Sequence, residues 1–274
     1  MSGFLLGDGA DGMLARGIGA VHGRYGHQFF LANDDTIGRS LAMYGEWAEN
    51  EISLIEHLLP ESGTLLDVGC NVGTHAIAFA SLRRSSLVLA FDIQGSTLAC
   101  ANLTAHIQGK DNIVFVRSAV GDSVGHVRVP IVDYTKKANF GAVRVTEDSL
   151  GALVPQISLD SLAIPAPVAL IKLDIEGSEI PALCGAQELI KRDRPVVFAE
   201  SHGIDAADAL IAFAVSQNLQ WATLRIPAFN PNNFLRGETN IFGDASECAV
   251  IMADSSATID LLQSRFGSWV LARG

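Results

Sequence analysis

The stretch Leu65-Leu66-Asp67-Val68-Gly69-Cys70-Asn71-Val72-Gly73-Thr74-His75 decides how the rest of the chain is read. Its first four residues form a short apolar run of the kind that fills a strand buried on both faces. Gly69 and Gly73 then allow positive φ or close backbone approach, Asn71 tolerates a tight turn, and Thr74 can cap a following helix. A glycine turn between the first strand and its helix is where α/β sheets hold nucleotide-like ligands, at the carboxyl end of the strands. By spacing alone the turn is weak evidence, since any tight strand–helix junction can use glycine.

Working outward, four more apolar runs repeat the strand pattern: Leu87 to Phe91, Ile113 to Val116, Val168 to Leu173 and Val196 to Ala199. Helical patterns separate most of them, at Thr74 to Leu82, Ser96 to Gln108, Ser178 to Lys191 and Asp205 to Asn218. Ahead of the first strand, Trp47, Leu54, Ile55 and Leu58 form an amphipathic stripe that ends near Pro60. Strand–helix alternation of this kind predicts an α/β fold, a mostly parallel sheet with helices on both faces. Trp221 to Ile226 and Cys248 to Met252 are read as a terminal hairpin completing that sheet. The long connection from Gly121 to Pro167 is expected to hold an extra hairpin or lid. We divide the chain into an N-terminal cover, residues 1–45, and one α/β domain, residues 46–274.

Composition bounds the function. The 274 residues are 49% hydrophobic and 18% charged, which supplies a sizeable core and argues against a disordered chain. No apolar run reaches the ~18 residues of a membrane span, and no signal peptide is recognisable. With 19 basic against 30 acidic residues the net charge is −11, which disfavours gripping a nucleic-acid backbone. Cys70, Cys100, Cys184 and Cys248 form no C-x-x-C pair and suit free thiols in a reducing cytoplasm. We therefore expect a cytoplasmic protein with a small-molecule or glycan partner.

The glycine turn reads D-x-G-x-x-x-G and lacks the G-x-G pair of dinucleotide sites. Asp67 would repel a diphosphate at close range by about 1 kcal/mol or more. It would attract the ammonium and sulfonium of S-adenosylmethionine, which carries no phosphate. Asp92, ending the second strand, is placed to accept hydrogen bonds from ribose hydroxyls. Ser118-Ala119-Val120-Gly121-Asp122 follows the third strand, with Asp122 set to reach an adenine amino group.

These pieces resemble a class I S-adenosylmethionine-dependent methyltransferase, specifically of the FkbM family. The resemblance rests on Leu66 to Gly73, Ala90-Phe91-Asp92, Ala119 to Asp122, Ser158 to Leu162, Ile171-Lys172-Leu173-Asp174-Ile175-Glu176-Gly177-Ser178-Glu179 and Arg194 to Glu200, and covers about residues 46–201. It implies a Rossmann-like seven-stranded sheet of order 3-2-1-4-5-7-6 and O-methylation of sugars, glycans or secondary metabolites. The family's usual Glu-Pro on the second strand is Asp92-Ile93 here, and Cys70 replaces a common Ala. The implied cofactor contacts are Glu46, Asp67, Gly69, Cys70, Asn71, Gly73, Asp92, Ser118, Ala119, Asp122 and Asp174. Glu46 enters through Tyr44-Gly45-Glu46, which resembles a segment folding over the cofactor.

Methyl transfer to a hydroxyl needs in-line positioning and a group to take the proton. Asp174, at the end of its strand, is the leading base, with Lys172 on the same strand face keeping it ionised. Glu200 and His202, ending the next apolar run, are the further catalytic candidates. Asp174, Glu176 and Glu179 offer oxygen ligands to a divalent cation, a reading we do not favour. The absence of an Asn-Pro-Pro-Tyr-like segment after Asp174 favours oxygen over nitrogen acceptors. The competing classes are an NAD(P)-dependent oxidoreductase, a non-catalytic nucleoside-binding protein and a nucleic-acid methyltransferase.

Overall fold

Short apolar runs alternating with helices build a sheet whose central strands are buried on both faces. The computed structural model describes residues 17–148, 150–164 and 167–274, so Met1–Arg16 of the expected cover lies outside the described residues. The described chain begins with an antiparallel hairpin, β1 (Ile18–Gly23) and β2 (Gly26–Leu31). Helices α1 (Ile37–Tyr44) and α2 (Glu49–Glu56) follow. Then come β3 (Thr64–Val68), α3 (Thr74–Leu82), β4 (Leu87–Asp92), α4 (Gly95–Ile107) and β5 (Ile113–Arg117).

The stretch after β5 forms a separate three-stranded sheet from β6 (Ala119–Val120), β7 (Gly125–Val129) and β8 (Ala152–Ile157), with β8 in the middle. The chain returns to the main sheet with β9 (Val168–Leu173), α5 (Glu179–Cys184), α6 (Gln187–Asp193), β10 (Val196–Glu200) and α7 (Ile204–Ser216). It ends with β11 (Gln220–Pro227), β12 (Ser246–Ala253), α8 (Ser256–Phe266) and β13 (Val270–Arg273).

The main sheet has the order β13-β11-β12-β10-β9-β3-β4-β5. Its strands from β10 to β5 run parallel, and the remaining three pair antiparallel. It has eight strands where the sequence reading expects seven. The difference is β13, a short, largely exposed strand on the edge of β11. Every residue of β3 is buried, as a central parallel strand requires.

Two apolar layers flank the sheet. Leu54, Ile55 and Phe79 pack on one face with Leu65 and Phe198, and Leu183, Ile190 and Phe213 pack on the other with Ile171 and Val197. A smaller cluster of Phe29, Phe30, Leu41, Val72, Cys100 and Phe140 fastens the hairpin and α1 over α4 and the glycine turn. The Phe29 N–H donates to Thr104 Oγ1 at 2.9 Å, pinning the hairpin to α4. Among the described residues, no helix is long and apolar enough to cross a membrane.

The single helix expected over Ser178 to Lys191 is instead two, α5 and α6, broken around Gly185-Ala186. The Gly185 carbonyl accepts from the Asp160 N–H at 2.8 Å, outside any helical pattern. A Cβ on Gly185 would collide with the Gly121 carbonyl, so this corner holds only glycine. We expect Gly185→Ala to lower stability by about 1–3 kcal/mol in urea denaturation, because overpacking against rigid backbone outweighs any gain in helix propensity.

Candidate functional site

The carboxyl ends of β3, β4, β9 and β10 border a cavity of about 440 Å³. Its geometry starts with the glycine turn. Gly69 and Gly73 adopt φ of 89° and 81°, and a Cβ on Gly69 would run into the Asp174 carbonyl. The N–H groups of Gly69 and Cys70 donate to the Phe91 carbonyl at 2.8 and 3.0 Å, which binds the turn to β4. Asn71, itself at φ 50°, sends its N–H to Asp92 Oδ2 at 2.9 Å. Asp92 Oδ1 accepts from the Gln94 N–H at 2.7 Å. Burial pushes the Asp92 carboxyl up to about 6 despite these hydrogen bonds, which pull the other way.

Gly69, Asn71, Asp92, Ser118, Ala119 and Asp174 all lie in the cavity wall, so the structure brings these six expected residues together. Glu200 and His202 lie in the same wall. Ser118 Oγ is buried there with no hydrogen-bond partner.

Four of the remaining expected contacts lie elsewhere among the described residues. Glu46 takes Arg24 Nε at 2.7 Å, Asn230 Nδ2 at 2.7 Å and the Phe234 N–H at 2.9 Å, clasping the hairpin to the loop after β11. Cys70 is buried away from the cavity, and burial pushes its thiol well up. Gly73 packs against Ala101 at the start of α3. Asp122 is exposed and accepts from the Ser123 hydroxyl. Gln156, arriving from β8, lies in the wall beside Gly121 instead.

Asp67 is also outside the wall. It is fully buried, neither oxygen accepts a hydrogen bond among the described residues, and Lys172 Nζ lies 3.8 Å away. Lys172 is 1% exposed and places the same ammonium 3.1 Å from Asp174 Oδ2. Burial works to lower the Lys172 pKa, and the charges of Asp174, Asp67 and Glu51 outweigh it, raising it above its ordinary value. Burial likewise works to raise Asp174, and the Lys172 charge overrides it, holding that carboxyl below the usual range.

The acidic wall continues beyond Asp174. Glu200 is pushed far up by burial and by the neighbouring Asp174 charge, and it sits within hydrogen-bonding reach of both Asp174 and Glu247. His202 Nε2 stands 3.6 Å from Glu176 and 3.9 Å from Glu200. Glu179 turns away, accepting the N–H groups of Ile175 and Gly177 at 3.0 and 3.2 Å, and so serves the β9–α5 turn. Among the described residues, no three His, Cys, Asp or Glu side chains are arranged to hold a metal ion.

Reading by motif did not single out Glu51, His75, Gln156 or Glu247. All four are in the wall. Burial raises Glu51 to about 7 and lowers His75 to about 3, leaving a neutral imidazole 3.4 Å from the Glu51 carboxyl. Glu51 left a signal, being a carboxylate on the helix face that carries Trp47, Leu54 and Ile55. Glu247 and Gln156 left none, since both sit on ordinary strands.

Comparison with known proteins follows the same outline. A family model described as the methyltransferase FkbM domain matches residues 67–221, more than half of the chain. Among solved structures, a methyltransferase FkbM from Methylobacillus flagellatus KT aligns with TM-score 0.52 at 17% identity. That alignment covers 76% of this chain and 48% of the other, so this chain spans about half the length of that protein. M. jannaschii TYW2 in complex with AdoMet aligns with TM-score 0.48 at 10% identity, covering 86% and 85% of the two chains. Precorrin-6y C5,15-methyltransferase from Geobacter metallireducens GS-15 aligns at 0.44 and 12%, covering 74% and 86%. No curated protein sequence matches the chain.

Removing the ammonium of Lys172 while keeping Asp67 strands a buried charge. We expect Lys172→Met to cost about 3–5 kcal/mol in urea denaturation. Adding Asp67→Leu should recover most of the loss, whereas an unrecovered double variant would assign it to packing.

Proposed function

The chain belongs to the FkbM methyltransferase family, and from that premise we propose that it moves a methyl group from S-adenosylmethionine to a hydroxyl of a sugar, glycan or secondary metabolite. The observation that carries this reading is the sequence of groups along one cavity wall. Ser118 and Ala119 stand at the β5 end, Asp92 ends β4, the glycine turn follows β3, and Asp174 follows β9.

The wall fits a phosphate-free nucleoside. Ser118 Oγ is an orphaned buried hydroxyl suited to an adenine edge, and Gln156 Oε1 beside it suits the exocyclic amine that Asp122 is too distant to reach. Asp92 keeps lone pairs free beyond its two backbone donors and the Thr97 hydroxyl at 3.4 Å, and would accept the ribose hydroxyls. The close approach of Gly69 to the Asp174 carbonyl leaves no side chain between the turn and the methyl-transfer position. When bound, S-adenosylmethionine supplies an electrophilic methyl group on a cationic sulfur.

In this reading Asp174, kept ionised by Lys172, accepts the hydrogen bond of the acceptor hydroxyl and turns its lone pair toward the methyl group. Glu200, held protonated by burial, donates to Asp174 and fixes its orientation. The hydroxyl proton passes to Asp174 as the carbon–oxygen bond forms and the carbon–sulfur bond breaks, and His202, 40% exposed and 3.9 Å from Glu200, is a further solvent-facing group on this wall. Among the described residues the wall is lined by acids and by no Lys or Arg, which supports small acceptors over nucleic acid.

Asp92→Ala should weaken S-adenosylhomocysteine binding by about 1–3 kcal/mol in calorimetric titration. Wild-type affinity should fall as pH is lowered through about 6, where Asp92 takes up its proton and stops accepting on one oxygen. Tight NAD binding with no response to S-adenosylhomocysteine would overturn the cofactor assignment. Asp174→Asn should keep cofactor affinity and lose turnover, and an active variant would move the base to His202.

A further inference from the structure

We infer that the acceptor presents a protonated amine beside the hydroxyl that is methylated, in the manner of an amino sugar. The inference rests on the methyl-transfer reading above and concerns the part of the cavity beyond Asp174. Neighbouring strands lie about 5 Å apart. In the sheet order β4, β3, β9, β10, β12, each strand sets one acid at this edge: Asp92, Asp67, Asp174, Glu200 and Glu247. The nucleoside occupies the β5–β4–β3 side, and the methyl group reaches the acceptor at Asp174. Glu200 and Glu247 therefore stand on the first and second strands beyond β9, at backbone spacings of roughly 5 and 10 Å from it. That side belongs to the acceptor.

The carboxyl groups there outnumber the basic groups that reach them: His202 stands near Glu176, Glu200 and Glu247, and Arg144 adds its charge near Glu176. Lys172 is engaged by Asp67 and Asp174, and its ammonium is closed off from the cavity. His202 faces Glu176 at 3.6 Å. Glu200 and Glu247 face each other, and both carboxyls are raised, with burial the main cause and the nearby Asp174 charge adding to it. Such a wall favours a ligand that brings its own positive charge and hydrogen-bond donors.

A second, separate feature points to a ligand in the same cavity. His75 forms part of its wall at 4% exposure, and its Nε2 makes no hydrogen bond among the described residues. Glu51 beside it is 7% exposed and also lines the cavity. The Glu51 carboxyl lies 3.4 Å from that nitrogen without a hydrogen bond between them among the described residues, so His75 is held out of water with one ring nitrogen unsatisfied, which is costly unless a bound molecule completes it. A divalent cation fits this wall less well, because the acids are strung along the sheet edge rather than gathered around one point.

The test uses acceptor pairs that differ only in amine charge: glucosamine with N-acetylglucosamine, and an aminoglycoside with its fully N-acetylated form. Each is titrated into the full chain already saturated with S-adenosylhomocysteine, and each is assayed for methyl transfer from labelled donor. We expect the amines to bind and react better by about tenfold or more. Glu247→Gln should erase most of that preference while S-adenosylhomocysteine affinity stays at the wild-type value. Equal handling of amine and acetylated forms, or no binding of either amine to the S-adenosylhomocysteine complex, would overturn the inference and leave the methyl-transfer reading standing. Failure of S-adenosylhomocysteine itself to bind would instead remove the reading on which the inference rests.

Discussion

A single buried ammonium governs the chemistry of this sheet edge. Lys172 on β9 is paired in register with Asp67 on β3 and reaches forward to Asp174. Asp67 has no hydrogen-bond donor of its own, so without Lys172 it would be a bare charge in the core. A buried ion pair contributes little stability compared with two well-packed apolar residues. Its consequence lies elsewhere: it keeps Asp174 ionised at the cavity while locking β3 and β9 in one register.

Because the two strands are fixed, the rest of the edge falls into place. The Asp174 carbonyl presses against Gly69, and Asp92 draws the far end of the glycine turn toward β4. Three aspartates within one sheet edge thereby acquire different characters. Asp67 is sealed in and neutralised by Lys172, Asp92 is hydrogen-bonded by backbone and raised toward 6, and Asp174 is held low and half-open to the cavity. Residue type alone does not separate them, whereas environment does.

That distinction also explains what could be read from the sequence. The parallel strands were legible because each is a short apolar run between helical patterns, and the turn at Gly69 to Gly73 pointed to the sheet edge that borders the cavity. Asp67 was legible as part of a motif, and the fold buries it outside the cavity wall. Its burial follows from pairing with Lys172 across two strands about a hundred residues apart, which no local pattern records. Asp122 was assigned by its distance along the chain from β5. The local backbone carries it outward, and Gln156 comes to that position from β8 through a pairing of small strands. The place of Glu46 was hidden for a similar reason, since its partners Arg24, Asn230 and Phe234 are gathered from opposite ends of the chain. The break at Gly185 depended on the Gly121 carbonyl, again a contact between distant segments.

The buried acids set a balance between stability and readiness to bind. A carboxyl raised on folding lends stability below its unfolded pKa and loses it as pH rises through the folded value. For Asp92 that window runs from 3.8 to about 6, and for Glu51 from 4.5 to about 7. At neutral pH each group therefore costs the empty fold about 3 kcal/mol relative to an unshifted carboxyl. Neither cost serves packing, since an apolar residue of similar size would avoid it. A ligand that binds only the folded state and supplies cationic or hydrogen-bond donor groups offsets the cost on arrival, and the fold gains stability in proportion to how far the ligand exceeds its Kd. The acidic edge is thus destabilising in isolation and becomes favourable when a molecule supplying positive charge or hydrogen-bond donors binds it.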